Sequence, residues 1–117
     1  MNQIAKLNDQ FRSRGRFGQP SSGAPEVPGT MFLTMGVATL PRAVQFEIWA
    51  KVQTFSDFSE GNDPYGERDF GAFDIGGKKI FWKIDYYADK TLSAGSEDPA
   101  DPEKCFRVLT VMLAEEY

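Results

Sequence analysis

The chain has 117 residues, a net charge of −4 and 41% apolar residues. That length suits a single domain over residues 1–117, and ten Phe, four Tyr and two Trp supply core material that excludes global disorder. No run approaches the ~20 apolar residues of a membrane span. Met1-Asn2-Gln3-Ile4 lacks a secretion-signal pattern, and Cys105 is the lone cysteine, so a cytoplasmic protein without an internal disulfide is expected.

Ile4, Leu7 and Phe11 recur at helical spacing and predict a helix over 3–14, stopped by Gly15. Residues 18–29, GQPSSGAPEVPG, hold three Pro and three Gly and read as a loop. The short apolar run at 30–35, between Gly29 and Gly36, predicts a strand. A second helix is expected over about 41–55, with Pro41 in its first turn. Val44, Ile48, Val52 and Phe55 form its apolar stripe, and Phe46 and Trp49 widen it toward full burial. Residues 56–69 are polar, acidic and broken by Gly61, Pro64 and Gly66.

Two strands follow, at 70–75 and 79–87. Gly76-Gly77 between them is a hairpin signal, because both central positions of a type I′ turn need positive φ. In the second strand Ile80, Trp82, Ile84 and Tyr86 make the expected core face, and Phe81, Lys83, Asp85 and Tyr87 the other. A second acidic loop covers 88–102. The last element is expected to be a helix over about 102–115, with Asp101 as N-cap, Pro102 at its first position, and Cys105, Val108, Leu109 and Met112 as its buried stripe. The order α-β-α-β-β-α predicts an α+β fold: a small, mostly antiparallel three-stranded sheet with a β-hairpin, covered by helices.

Charge is unevenly spread. Residues 1–56 carry a local +3 and residues 57–103 a local −7, while 104–117 balance. An acidic middle repels nucleic acid, whose binding rests on neutralising phosphates. It attracts a basic partner instead.

The chemistry of catalysis is sparse. The chain has no histidine, which removes Ser-His-Asp and Cys-His nucleophiles and the commonest metal ligand. One cysteine cannot build a thiolate zinc site, and Cys105 on an apolar stripe reads as packing. No glycine-rich phosphate loop occurs. Asp57, Glu60, Asp63, Glu67, Asp69 and Asp74 could in principle hold Mg²⁺ or Ca²⁺, but their spacing does not match a calcium loop. Glu67 and Asp85 could do acid–base work if one carboxyl were buried. No catalytic residue, metal ligand or cofactor is therefore expected. Lys83 and Asp85, two apart on one strand face with Phe81 and Tyr87 alongside, read as a solvated ion pair or as part of an interface.

The segments Asn62-Asp63-Pro64-Tyr65-Gly66-Glu67-Arg68-Asp69-Phe70-Gly71, Phe81-Trp82-Lys83-Ile84-Asp85-Tyr86-Tyr87, Asp98-Pro99-Ala100-Asp101-Pro102, Arg107-Val108-Leu109-Thr110 and Met112-Leu113-Ala114-Glu115-Glu116-Tyr117 resemble domain-of-unknown-function family 3768. The resemblance also takes in Ile4-Ala5-Lys6-Leu7-Asn8-Asp9 and Phe11-Arg12. It implies a small bacterial protein of the kind encoded on mobile genetic elements, and it carries no activity. Members often have His where this chain has Tyr65 and Arg68, a departure that weakens an enzyme reading.

The expectation for function is a protein-binding accessory factor of a mobile element, such as an inhibitor of a host defence nuclease complex. Its binding residues are expected to be Asp57, Phe58, Glu60, Asp63, Tyr65, Glu67, Asp69, Asp85 and Tyr87, with carboxylates standing in for phosphates in a basic channel. The alternatives are a regulatory or housekeeping protein-interaction module and a carboxylate-dependent, metal-assisted enzyme. Direct nucleic-acid binding would rest on Arg12, Arg14 and Arg16 alone.

Overall fold

The computed structural model describes residues 2–13 and 27–117. Helix α1 spans Gln3–Arg12, strand β1 Gly29–Leu33, the one-turn helix α2 Met35–Ala38 and helix α3 Arg42–Thr54. Strands β2 (Phe70–Ile75), β3 (Lys78–Tyr87) and β4 (Phe106–Leu113) follow, and a 3₁₀ turn closes the chain at Ala114–Glu116. The strands form one sheet in the order β1-β4-β3-β2. β1 runs parallel to β4, and the other two pairings are antiparallel. The fold is α+β, as the pattern predicts.

Each element has a local cause. Asn2 caps α1 by accepting a hydrogen bond from the Ala5 N–H at 2.7 Å, which satisfies one of the orphan donors of a helix start. α1 buries Leu7 and Phe11. α3 buries Ile48, Trp49 and Val52. The Gly76-Gly77 turn forms as expected, with φ of +55° and +80°, and it sets the register Ile75↔Lys78. Ile80, Trp82 and Ile84 face the helices and are buried, with Tyr86 half-buried beside them.

Several expectations are corrected. The sheet has four strands and is mixed, not three and mostly antiparallel. The expected C-terminal helix over 102–115 is instead β4, preceded by a turn at Asp101–Lys104 and followed by the 3₁₀ turn. Asp101 and Pro102 therefore start no helix. The physical reason is the position of β4 between β1 and β3. A central strand buried on both faces shows a near-continuous apolar run, and Cys105, Val108, Leu109 and Met112 within it mimic helical spacing. Cys105 is buried, but just before a strand rather than on a helix stripe. Pro41 lies at the N-cap of α3, outside the first turn, because Thr39 and Leu40 close the separate helix α2. Phe46 points outward and is 61% exposed, so α3 is not buried all round. The expected stop at Gly15 and residues 18–26 of the loop lie outside the described residues.

The core sits on one side of the sheet. Leu7, Phe11, Val37, Ile48, Trp49 and Val52 pack there against Ile80, Trp82, Leu109 and Val111. The opposite sheet face belongs to no such cluster.

Candidate partner-binding surface

The acidic loop at residues 56–69 is held to the fold by a stack of rings and guanidinium groups. The Phe58 ring meets Phe55 edge-on at 5.1 Å and Trp82 at 6.2 Å. The Arg12 guanidinium lies 4.7 Å from the Trp82 ring centre and 5.4 Å from that of Phe58. One terminal nitrogen of Arg12, Nη1, donates to the carbonyls of Val52 and Phe55 at 2.7 and 3.1 Å, closing the C-terminus of α3. The other, Nη2, pairs with Asp9 at 2.8 Å. The second Asp9 oxygen takes Arg68 Nη1 at 3.0 Å, and the Arg68 guanidinium lies 5.0 Å from the Phe58 ring centre. Burial lowers the pKa of Arg12, and the neighbouring Arg68 charge lowers it further, against Asp9.

The loop's own backbone is also tied. Asn62 accepts from the Ser59 N–H at 2.8 Å and donates to the Asp57 carbonyl at 2.9 Å. Arg68 adopts φ +56°, and its N–H donates to the Asp63 carboxylate at 3.1 Å. A left-handed conformation costs free energy for a side chain of this size and persists only where its surroundings hold it. From α1, Asn2 donates to the Gly66 carbonyl and Asn8 to the Glu67 carbonyl.

Asn8 links the loop to a second buried arginine. Its amide nitrogen also donates to the Tyr86 hydroxyl at 2.8 Å, and its oxygen accepts from Arg107 Nε at 2.6 Å. Arg107 is fully buried, donates to the Pro99 carbonyl at 2.7 Å and stacks on Tyr86 at 5.2 Å. Its Nη1 has no hydrogen-bond partner among the described residues. Burial depresses the Arg107 pKa and raises that of the Tyr86 hydroxyl, with Glu67 and Asp69 adding to the latter rise against the hydrogen bond from Asn8.

The expected binding residues separate into three groups. Asp57, Glu60 and Tyr65 are exposed on the loop, Tyr65 at 83%. Glu60 and Asp63 line a shallow recess of about 540 Å³ together with Phe58, Ser59, Gly66 and Arg68. Asp63, Glu67 and Asp69 are half-buried at the base of the loop. Burial raises the Asp69 pKa, and the nearby charges of Glu67, Asp63 and Asp85 raise it further. Phe58 is packed inward and is no exposed anchor. Asp85 and Tyr87 lie, half-buried, on the sheet face away from the helices, where Asp85 pairs with Lys83 at 2.9 Å. Among the described residues no three His, Cys, Asp or Glu side chains are grouped to hold a metal ion. No described helix is long and apolar enough to cross a membrane.

The sequence matches the model of a family described as a protein of unknown function, DUF3768, over residues 33–116. The chain belongs to that family. The match takes in the whole of the DUF3768 chain's loop, hairpin and β4, while α1 lies outside it. Asn8 and Arg12, which hold the loop in place, thus come from a helix beyond the matched span. No curated protein and no solved structure matches the chain.

The residues that build this surface are ones the pattern passes over. Arg12 stands out in the pattern only as one of three arginines that could meet nucleic acid, and Arg107 is hidden in a run expected to be a helix. The one available signal is Asn8. It sits four residues after Ile4 and beside Leu7, at a position where an apolar side chain would continue the stripe.

Proposed function

We propose that this chain is a protein-binding accessory factor that engages a basic partner through the loop at residues 56–69. The observation that carries the reading is a tied-down loop that presents Tyr65, 83% exposed, and the exposed side chains of Asp57 and Glu60. A loop already ordered in the free protein loses little conformational entropy on binding. Tyrosine is among the residues that dominate interface energetics, and rim carboxylates speed encounter with a cationic surface. The half-buried Asp69, crowded by three other carboxylates, supports the same reading, because a cation brought close relieves that repulsion. A groove that normally holds nucleic-acid phosphates, such as the channel of a defence nuclease complex, has the complementary chemistry.

A carboxylate-dependent enzyme is the second reading, favoured only by the raised Asp69 carboxyl beside Glu67. The test immobilises the full chain and an Asp57→Lys/Glu60→Lys/Tyr65→Ala variant and exposes both to host lysate. Capture of a basic protein by the wild type and its loss from the folded variant supports the binding reading. Identical sets of captured proteins overturn it.

A further inference from the structure

The sheet order leaves β2 at an edge, joined to β3 on one side only. The hairpin fixes which of its backbone groups face outward. Around the two-residue turn at Gly76-Gly77, Ile75 and Lys78 exchange hydrogen bonds, and in an antiparallel pair such exchanges recur at every second residue. Phe73 and Gly71 therefore bond to Ile80 and Trp82. The same phase holds at the far end, where the Ile84 N–H donates to the Asp69 carbonyl at 2.8 Å. Phe70, Ala72 and Asp74 lie between these and turn their N–H and C=O groups away from β3. Among the described residues these groups have no hydrogen-bond partner. None of the three residues is buried, and the Asp74 side chain is 72% exposed. Proteins commonly blunt such an edge with proline, lysine or a bulge. β2 reads Phe-Gly-Ala-Phe-Asp-Ile in unbroken register and has none of these.

We propose that an extended cationic segment of the partner adds to β2 as a fifth, antiparallel strand, its lysines or arginines in register with Phe70, Ala72 and Asp74. The proposal rests on the reading of the loop at residues 56–69 as the surface for a basic partner, since that loop runs directly into β2. In strand addition the main-chain hydrogen bonds supply affinity, and side chains at alternate positions supply specificity. Charge selects the occupant. Residues 57–75 carry six acids and a single base, Arg68, whose guanidinium is already paired with Asp9. A cationic segment is drawn to this stretch, whereas a second copy brings a chain of net charge −4 against its like.

The register assigns the side chains of that segment. In an antiparallel pair, the residues opposite Phe70, Ala72 and Asp74 exchange the hydrogen bonds and share their sheet face, the one away from the helices. A cation opposite Asp74 meets a carboxylate whose own partner, Lys79, stands loosely at 3.9 Å. A cation opposite Phe70 lies beside a ring that packs edge-on with Phe81 at 5.1 Å and Tyr117 at 6.2 Å. Ala72 between them is small and leaves room for a long side chain. The intervening residues of the segment fall on the helix side, beside Gly71, Phe73 and Ile75, a row without charge. The segment that fits therefore alternates cationic and apolar residues.

The probe is an octapeptide of alternating lysine and valine, blocked at both ends, titrated into the full chain and followed by amide NMR and calorimetry. The expected result is saturable binding, with exchange of the Phe70, Ala72 and Asp74 amides slowed about tenfold or more. Methylating the backbone nitrogens of the peptide's lysines removes the donors and keeps the charge, and should weaken binding about tenfold or more. Ala72→Pro removes an N–H that bonds nothing in the fold, a change that edge strands tolerate, and should weaken binding of the unmethylated peptide likewise. Should that variant fail to fold by circular dichroism, the methylated peptide on the wild type decides alone. No saturable binding up to millimolar peptide overturns the proposal. Binding indifferent to both backbone changes overturns it too, and its loss on the Asp57→Lys/Glu60→Lys/Tyr65→Ala variant would then leave the loop reading standing. A peptide that binds this triple variant as well as the wild type, yet loses affinity on Ala72→Pro, supports the edge and overturns the loop reading. Slowed exchange at Ala72 that grows with protein concentration and needs no peptide assigns the edge to a second copy and overturns the cationic occupant.

Discussion

Gly71→Ala is expected to loosen the stack that carries the acidic loop. Gly71 faces the helices on β2, opposite Trp82. A Cβ at this position would lie 2.3 Å from Trp82 Nε1 and 2.6 Å from Cε2. The ring must retreat by about 1 Å to reach ordinary contact. It has little room, since Trp82 is fully buried, with Arg12 at 4.7 Å and Phe55 at 5.6 Å. Overpacking of this kind costs about 1–3 kcal/mol. Against that, Ala restricts the unfolded chain more than Gly and returns up to ~1 kcal/mol. Overpacking wins, and a net loss of about 1–2 kcal/mol is expected. For a chain of this size that corresponds to a fall in Tm of roughly 4–8 °C. Guanidinium denaturation followed by far-ultraviolet circular dichroism gives the free energy, and a thermal scan gives the Tm. An unchanged or raised midpoint would show that Trp82 is free to move and that the stack does not anchor the loop.

Asp69→Asn is expected to stabilise the fold at neutral pH. The Asp69 pKa is raised in the folded state by burial and neighbouring carboxylates, so its ionised form destabilises the fold once pH rises above the unfolded value of ~3.8. Thermal midpoints of the variant should exceed wild type near pH 7 and converge below pH ~4, and convergence at every pH would contradict the assignment. Asn8→Ala removes the partner of Arg107 Nε, Tyr86 and the Glu67 carbonyl together, and should cost about 2–3 kcal/mol by chemical denaturation. A loss within experimental error would mean that water replaces the amide. Replacing both Gly76 and Gly77 by Val forces β-branched residues to φ of +55° and +80° and should cost more than about 1 kcal/mol. An unchanged denaturation midpoint would rule that out.

The hairpin was the most legible part of the chain, because alternation over 79–87 and the Gly76-Gly77 pair are local signals. The core face of β3 follows from the same alternation, and Ile80, Trp82 and Ile84 are buried as it requires. β4 was illegible for a non-local reason. Leu109 and Val111 face the helices while Val108 and Met112 face the other way, and all four are nearly buried, so no period-two contrast survives. The parallel pairing of β1 with β4 joins segments nearly eighty residues apart, which no local pattern reports. At the candidate site the acids and Tyr65 stand out by composition. The groups that hold their loop in place, Arg12, Arg68 and Asn8, depend on tertiary contacts to Asp9, Phe58 and Trp82. Phe58, an anchor by composition, belongs to that support instead.

The loop at residues 56–69 is the surface proposed to meet a basic partner. Its most direct test is the association rate of the captured partner with the full chain across a salt series, beside the Asp57→Lys/Glu60→Lys/Tyr65→Ala variant. The association rate is expected to fall steeply as the Debye length shrinks from ~10 Å at 0.1 M to ~3 Å at 1 M salt. The variant is expected to associate more slowly and with a flatter salt dependence. A rate that ignores salt, with the variant binding as well as the wild type, would contradict the proposal.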